Sequence, residues 1–235
     1  MQLFFDSHIK STDKQFTFDK IESKHIVRVL RKKDGDVLFI TNGKGWLFSS
    51  SISVANDKRC TVVIQNVQKI ENSLHYNLHI AIAPTKNNQR FEWFLEKATE
   101  IGITEITPLI CEHSERKIIK KERLEKVLIA AMKQSKRFYL PKFNDAVSFK
   151  QFMNNEYNGQ KFIAHCEETD KQSLKNQLKE QIDVLVLIGP EGDFSLSEIA
   201  LALEKKFKPV SLGKSRLRTE TAGIVAAHSV AFINE

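Results

Sequence analysis

Val184-Leu-Val-Leu-Ile188 runs without a break into Gly189-Pro-Glu-Gly-Asp-Phe194 and then into Ser195-Leu-Ser-Glu198. Five consecutive apolar residues ending at glycine and proline predict a strand buried on both faces. Serine followed three residues later by glutamate spells a capping box, so a helix starts there. Strand, glycine-rich loop and helix together form the repeating unit of an α/β domain. The loop falls at the carboxyl end of its strand, where ligands of parallel sheets gather. Two glycines and a proline in four residues leave a rigid loop, poor in side chains, that a flat ligand can approach closely. Read alone, Gly-Pro-Glu-Gly is explained equally well by a plain tight turn. No Gly-Lys-Ser/Thr follows and no G-x-G-x-x-G occurs in the chain, which weakens P-loop and Rossmann readings.

The same rhythm extends outward from this unit. Strand-like runs cover 75–83, 105–110, 161–166, 183–188 and 208–212, and helix-like runs cover 89–101, 120–136, 171–180, 195–206 and 220–232. Alternation of this kind predicts a mostly parallel sheet covered on both faces. The first 70 residues read differently. Residues 36–41 and 46–52 flank Asn42-Gly43-Lys44-Gly45, a hairpin signal, and 59–68 is a β-branched run. A short helix is expected between Ile21 and Arg31, and Glu71-Asn72-Ser73 is a polar break. A small β-barrel over 1–70 followed by an α/β domain over 74–235 is the expected division.

A second loop repeats the logic of the first. Ser211-Leu-Gly213 leads through Lys214-Ser215-Arg216 into Leu217-Arg-Thr-Glu-Thr-Ala222, which opens the last helix. Thr219 reads as its N-cap, and Glu220 favours the positive helix end. Arg218 fits capping poorly, because a cation there opposes the dipole unless an anionic or polar group answers it. Two strand ends with glycine and a carboxylate make a better pocket than either alone.

The 235 residues carry a formal net charge of +7, with 41% hydrophobic and 28% charged residues. This composition excludes global disorder. No apolar run approaches the ~18 residues of a membrane span, and the first residues lack the pattern of a secretory signal. Cys60, Cys111 and Cys166 are odd in number and far apart, which points to a reducing compartment. Residues 114–143 contain ten Lys or Arg and three acids, a local net of +7 equal to that of the whole chain. Concentrated positive charge marks a polyanion partner, although a soluble helix rich in lysine gives the same count.

Five segments together resemble one family. They are His25 to Arg31 (HIVRVLR), Glu96 to Leu109 (EKATEIGITEITPL), Gln134 to Pro141 (QSKRFYLP), Leu187 to Gly192 (LIGPEG) and Gly213 to Ala222 (GKSRLRTETA). In this order they resemble the bacterial 16S ribosomal RNA (uridine-N3)-methyltransferases of the SPOUT class. The resemblance spans essentially the whole chain. It implies a PUA-like RNA-binding barrel, a C-terminal domain with a trefoil knot, S-adenosylmethionine as methyl donor, and a homodimer. Cofactor contacts are then expected from Leu187, Ile188, Gly189, Pro190, Glu191 and Gly192, from Leu212 and Gly213, and from Leu217, Arg218, Thr219, Glu220, Thr221 and Ala222. The family usually has glycine where this chain has Asp193, an acid expected to cap the following helix.

Methylation of uridine N3 requires removal of the imide proton or stabilisation of the anion. Arg90, placed where related enzymes keep a functional arginine, and Arg218 are the candidate cations. Glu191 and Glu220 are the carboxylates available as base, and the residues do not choose between them. RNA contacts are expected from His25, Arg28, Arg31 and Lys32 in the barrel, from Lys120, Lys121 and Arg123, and from Gln134 and Arg137. Leu124, Val127, Leu128 and Ala131 should turn inward from the same helix. His25 reads equally as an ordinary helix residue, and Arg90 as an exposed helix charge.

No metal is expected. His75-x-x-x-His79 on a strand does not present one ligating face, and Cys111-Glu112-His113 is too compact for a site. Trp46 and Trp93 are expected in core or dimer packing rather than in base stacking. The expected partner is 16S ribosomal RNA or the small ribosomal subunit in the cytoplasm, with no membrane. A non-catalytic assembly factor of the same fold and a ribose 2′-O-methyltransferase are the competing readings.

Overall fold

The hairpin expected around Asn42 to Gly45 is present in the computed structural model, which describes residues 2–167 and 170–235. The chain divides into two compact units. One is Met1–Ser73 with Met132–Leu140, and the other is Leu74–Ala131 with Pro141–Glu235.

Among its described residues the first unit holds a five-stranded, barrel-like sheet in the order β1-β3-β4-β5-β2. The strands are β1 (Leu3–Phe5), β2 (Gln15–Thr17), β3 (Val37–Thr41), β4 (Trp46–Val54) and β5 (Thr61–Lys69). Neighbours are antiparallel except β1, which pairs parallel to β3. Side chains alternate along β4, so Phe48, Ser50 and Ile52 point inward. With Leu38, Ile40, Phe4, Phe18, Ile26 and Val62 they close the core, each large apolar side chain contributing about 1.5–3 kcal/mol by burial. The helix expected over 21–31 is split. Asp19 caps α1 (Lys20–Lys24), and a wider π-type turn follows over His25–Val29, closed by the Leu30 N–H on the His25 carbonyl at 2.9 Å.

The unit also takes in the later segment Met132–Leu140. The Leu140 N–H donates to Gly43 O at 2.9 Å, the Gly45 N–H to Phe138 O at 2.8 Å, and the Tyr139 hydroxyl to Ile70 O at 2.9 Å. Gly45 has φ +84, and a Cβ there would collide with the Tyr139 ring. Half-buried Trp46 lies against Lys69, whose ammonium sits 5.1 Å from its ring centre.

Over its described residues the second unit has an eight-stranded parallel sheet in the order β11-β13-β10-β12-β6-β7-β8, with β9 on β7. The strands are β6 (Leu78–Ile82), β7 (Glu105–Ile110), β8 (Lys142–Phe143), β9 (Val147–Ser148), β10 (Gln160–Ala164), β11 (Gln172–Ser173), β12 (Val184–Ile188) and β13 (Lys208–Ser211). All five residues of β12, and all five of β6, are buried, as a sheet covered on both faces requires. The helices are α2 (Asn88–Ile101), α3 (Lys121–Gln134), α4 (Phe149–Phe152), α5 (Leu174–Gln177), α6 (Leu196–Glu204) and α7 (Thr219–Ile233). Helix α3 ends in residues that belong to the first unit. Leu124, Leu128 and Ala131 are buried and Val127 half-buried, so its inner face is the expected one.

The helix expected over 171–180 is a correction. Only Leu174–Gln177 is helical, and Gln172–Ser173 instead pairs with β13. This stretch has few apolar residues to hold a longer helix to the sheet, so the exposed strand edge takes its first residues. Trp93 is 43% exposed, so it lies outside the core of its unit. Among the described residues no helix is long and apolar enough to cross a membrane.

Candidate active site

Strands β10, β12 and β13 are neighbours and parallel, so the residues that follow Ala164, Ile188 and Ser211 emerge along one edge of the sheet. They enclose two cavities that share Ala164, Cys166, Arg216, Leu217 and Ala222 in their walls. One, of about 330 Å³, is completed by Ile188, Gly189, Pro190, Glu191, Arg218 and Thr219. The other, of about 400 Å³, is completed by His165, Lys171, Leu212 and Gly213 among others. A third hollow of about 350 Å³ lies between Asn87, Gln89, Arg90 and Trp93 on one side and Arg218, Glu220 and Thr221 on the other. Arg218 therefore borders both the 330 Å³ cavity and this hollow.

The two sequence-predicted loops are tied together. Thr219 is not the N-cap of α7: Arg218 occupies that position without a capping side chain. The Thr219 hydroxyl donates instead to Gly189 O at 3.1 Å, joining the loop after β12 to the start of α7. Gly189 leaves little room for a side chain, since a Cβ would lie 3.1 Å from the Phe194 ring and 3.2 Å from its backbone nitrogen. Ser195 caps α6 in the expected capping box with Glu198. The other Glu198 oxygen accepts the Glu112 N–H at 2.9 Å, which anchors the loop after β7 to α6.

Asp193 is also corrected, for it caps no helix. It sits at φ +63, a left-handed conformation that costs a residue with a Cβ about 1–2 kcal/mol and explains why glycine suits this position. Its carboxylate accepts the Cys166 N–H at 2.6 Å and the Phe194 N–H at 2.9 Å. The first of these bonds links the loops after β10 and β12. His113 donates from Nδ1 toward the Gly192 and Asp193 carbonyls, each at 3.1 Å.

Glu191 and Glu220 each present one oxygen without a partner. Glu191 Oε1 accepts the Lys86 N–H at 3.0 Å, while its buried Oε2 has none. Glu220 is buried, with Oε1 3.7 Å from Arg90 Nε and Oε2 buried and unpartnered. Arg90, Arg218 and Glu220 thus meet around one hollow, whereas Glu191 faces the 330 Å³ cavity. Two expected cofactor residues do not line these spaces. Leu187 belongs to the hydrophobic core, and Gly192 lies against His113.

His165 is the residue that sequence reasoning missed. It is 7% exposed, and neither ring nitrogen has a hydrogen-bond partner. One histidine after a strand carries no motif, so nothing in the sequence marks it.

A larger cavity of about 830 Å³ opens at the other end of the sheet, beside His79, Glu105, Thr107 and Asn144. Size does not make it the site, because much of its polar wall is satisfied internally. His79 Nε2 lies 2.7 Å from Thr107 Oγ1, and Asn144 donates to Glu105 and Thr107. Burial drives the His79 imidazole down to about 4. Among the described residues no three His, Cys, Asp or Glu side chains cluster as metal ligands.

Four cations of the basic segment are answered by acids from outside it. Lys121 pairs with Asp145 at 2.7 Å, Arg123 donates to Glu92 at 3.1 Å, Lys133 lies 3.5 Å from Glu22, and Lys142 pairs with Glu105 at 2.9 Å. Arg116 donates to the Thr85 and Lys86 carbonyls. In the first unit Arg28 pairs with Asp57 and His25 with Glu22. Lys120 and Arg31 are exposed, and Lys32 is half-buried. Gln134 and Arg137 lie in the segment built into the first unit. The excess of +7 that is local in sequence is therefore shared with distant acids in space.

Residues 72–231 match the family model of an RNA methyltransferase domain, and residues 18–65 match that of an RNA methyltransferase PUA domain. Ribosomal RNA small subunit methyltransferase E of Buchnera aphidicola subsp. Acyrthosiphon pisum is 34% identical over 222 residues, covering 90% of this chain and 86% of the relative. The crystal structure of a probable rRNA-methyltransferase from Porphyromonas gingivalis is 39% identical with a TM-score of 0.91, over 100% of this chain and 98% of that one. A Legionella pneumophila protein described as a methyltransferase, solved with the cofactor SAM bound, is 29% identical with a TM-score of 0.89, over 99% and 97%. Conserved fold, near-complete coverage and the ordered loops at the sheet edge agree, and the chain belongs to the ribosomal RNA small subunit methyltransferase E family, an RNA methyltransferase domain joined to a PUA domain.

Proposed function

We propose that this protein transfers the methyl group of S-adenosylmethionine to N3 of a uridine in 16S ribosomal RNA. The observation that carries the reading is the pair of loops after β12 and β13, joined through Thr219 and Gly189, which wall cavities containing buried polar atoms without partners. These residues fit the cofactor. Gly189 lines the 330 Å³ cavity with backbone alone, and the orphan groups of His165 and Glu191 offer hydrogen bonds to a ligand.

When bound, S-adenosylmethionine supplies a methyl carbon on a sulfonium, open to in-line attack. The chain's residues prepare the other reactant. Uracil N3–H lies between two carbonyl oxygens, so an acceptor flanked by donors recognises it. The hollow lined by Arg90, Arg218 and Glu220 has that composition. Glu220 Oε2, buried and without a partner, is the acceptor for the N3 proton, and its loss would free the nitrogen lone pair for the methyl group that the cofactor would supply, with S-adenosylhomocysteine as the leaving group. Arg90 and Arg218 stabilise the charge that develops on O2 and O4, and fixed placement of both reactants contributes the remainder. Glu191 is the second candidate for the proton, supported by its free Oε2.

Around this site we assign RNA binding to the PUA-like unit through Arg28, Arg31 and Lys32, and to Lys120, Lys121 and Arg123. Surface ion pairs are worth only about 0–1 kcal/mol, so Lys121 and Arg123 can exchange their carboxylates for phosphates. A homodimer and the knot implied by the family resemblance belong to the same proposal. The helix α7 supports the dimer, being apolar on nearly all sides yet leaving His228 and Phe232 exposed. A ribosomal substrate places the protein in the cytoplasm. Mass mapping of 16S ribosomal RNA from a deletion strain tests the reading: one methyl on a uracil ring should disappear and return with the wild-type gene. Loss of a ribose methyl, or of none, would refute it.

A further inference from the structure

We propose that His165 is a cofactor-positioning residue whose imidazole hydrogen-bonds the nucleoside part of S-adenosylmethionine. This rests on the assignment of that cofactor above. The residue directly follows β10, a central strand, and lines the 400 Å³ cavity together with Leu212, Gly213 and Leu217. Its backbone is held, since Lys171 Nζ donates to the His165 carbonyl at 2.8 Å. At 7% exposure with both ring nitrogens unpartnered, it is a buried polar group whose hydrogen-bonding capacity is unmet within the protein. An unmet buried group costs about 1–3 kcal/mol, so a partner in the cavity recovers a substantial term.

The ring's chemistry selects which part of the cofactor it meets. Burial, followed by the charge of Lys171, lowers the imidazole below its ordinary range, against the opposing influence of Asp193 and Glu167. The neutral ring has one donor and one acceptor nitrogen. Ribose hydroxyls and the adenine edge offer both complementary groups. The carboxylate of the amino-acid tail only accepts and its ammonium only donates, so either would leave one ring nitrogen unmet. Lys214 and Arg216, in the same cavity wall, are better suited to that carboxylate.

Calorimetric titration of the full chain with S-adenosylhomocysteine and with 5′-methylthioadenosine, which lacks the amino-acid tail, tests the assignment. His165→Phe, which fills the space without hydrogen bonds, should weaken both ligands about tenfold, while His165→Gln, which keeps a donor and an acceptor, should stay within about threefold of wild type. Equal affinity for wild type and His165→Phe would overturn the proposal, as would weakening of S-adenosylhomocysteine alone, which would move the contact to the tail. Wild-type protein that binds neither ligand would instead overturn the cofactor assignment itself. A measurement without any variant guards against misfolding: the His165 ring nitrogen resonances of wild type should shift on adding 5′-methylthioadenosine. Unmoved resonances in the saturated protein would overturn the contact.

Discussion

Gly189 concentrates the residue-scale argument, because its missing side chain serves both the loop and its ligand. A Cβ would press on Phe194 from 3.1 Å, and anything larger would displace the loop that walls the cavity. Gly189→Leu is expected to abolish S-adenosylmethionine binding in calorimetry while RNA affinity changes less than about threefold. Loss of both would mean that the substitution unfolds the unit. His79 governs a different property. Its imidazole is pushed by burial to about 4 in the folded protein, against about 6.5 unfolded. Between these values the unfolded chain binds the extra proton, so stability falls as pH drops through this window. Urea unfolding should lose about 2 kcal/mol from this group between pH 7 and pH 5, and His79→Asn should lose correspondingly less. Asp193 shows two effects in opposition, with left-handed backbone strain offset by hydrogen bonds to two amides.

At the scale of elements, α3 and the segment after it changed most between sequence and structure. Its inner face was legible, because Leu124, Leu128 and Ala131 recur at helical spacing. Its charges were not, because Asp145, Glu92 and Glu105 approach only in the folded unit. Replacing Lys120, Lys121 and Arg123 together by Gln should weaken RNA binding and reduce the slope of log K against log salt by about 1–3. An unchanged slope would show that these cations only face solvent. The segment Met132–Leu140 holds Gln134 and Arg137, both expected from the sequence to contact RNA. Its backbone bonds to Gly43 and Gly45 give it a structural part in the first unit, whatever its exposed side chains also touch.

For the whole molecule, the apolar surface of α7 is the feature a monomer explains least. Helices apolar all round are ordinarily buried, and here Phe232 is 66% exposed. Phe232→Glu is expected to shift the protein from dimer to monomer in sedimentation equilibrium. A wild-type monomer at all concentrations would refute the dimer, and an unchanged dimer would place its interface elsewhere. The net charge of +7 remains a property of the whole chain, and it favours a polyanion at long range even though many individual cations are paired.

Local rules were enough to determine the buried strand over 184–188, the capping box at Ser195, the hairpin at Asn42 to Gly45 and the glycine-bearing loops, because period, turn chemistry and capping act over a few residues. Short elements such as β8, β9 and α4 span too few residues to show a period. The pairing of strands, the approach of Arg90 to Glu220, the bond from Thr219 to Gly189 and the unpartnered ring of His165 depend on residues far apart in the chain. Only the tertiary structure decided them, because hydrogen bonding and burial depend on distance in space, which sequence spacing does not encode.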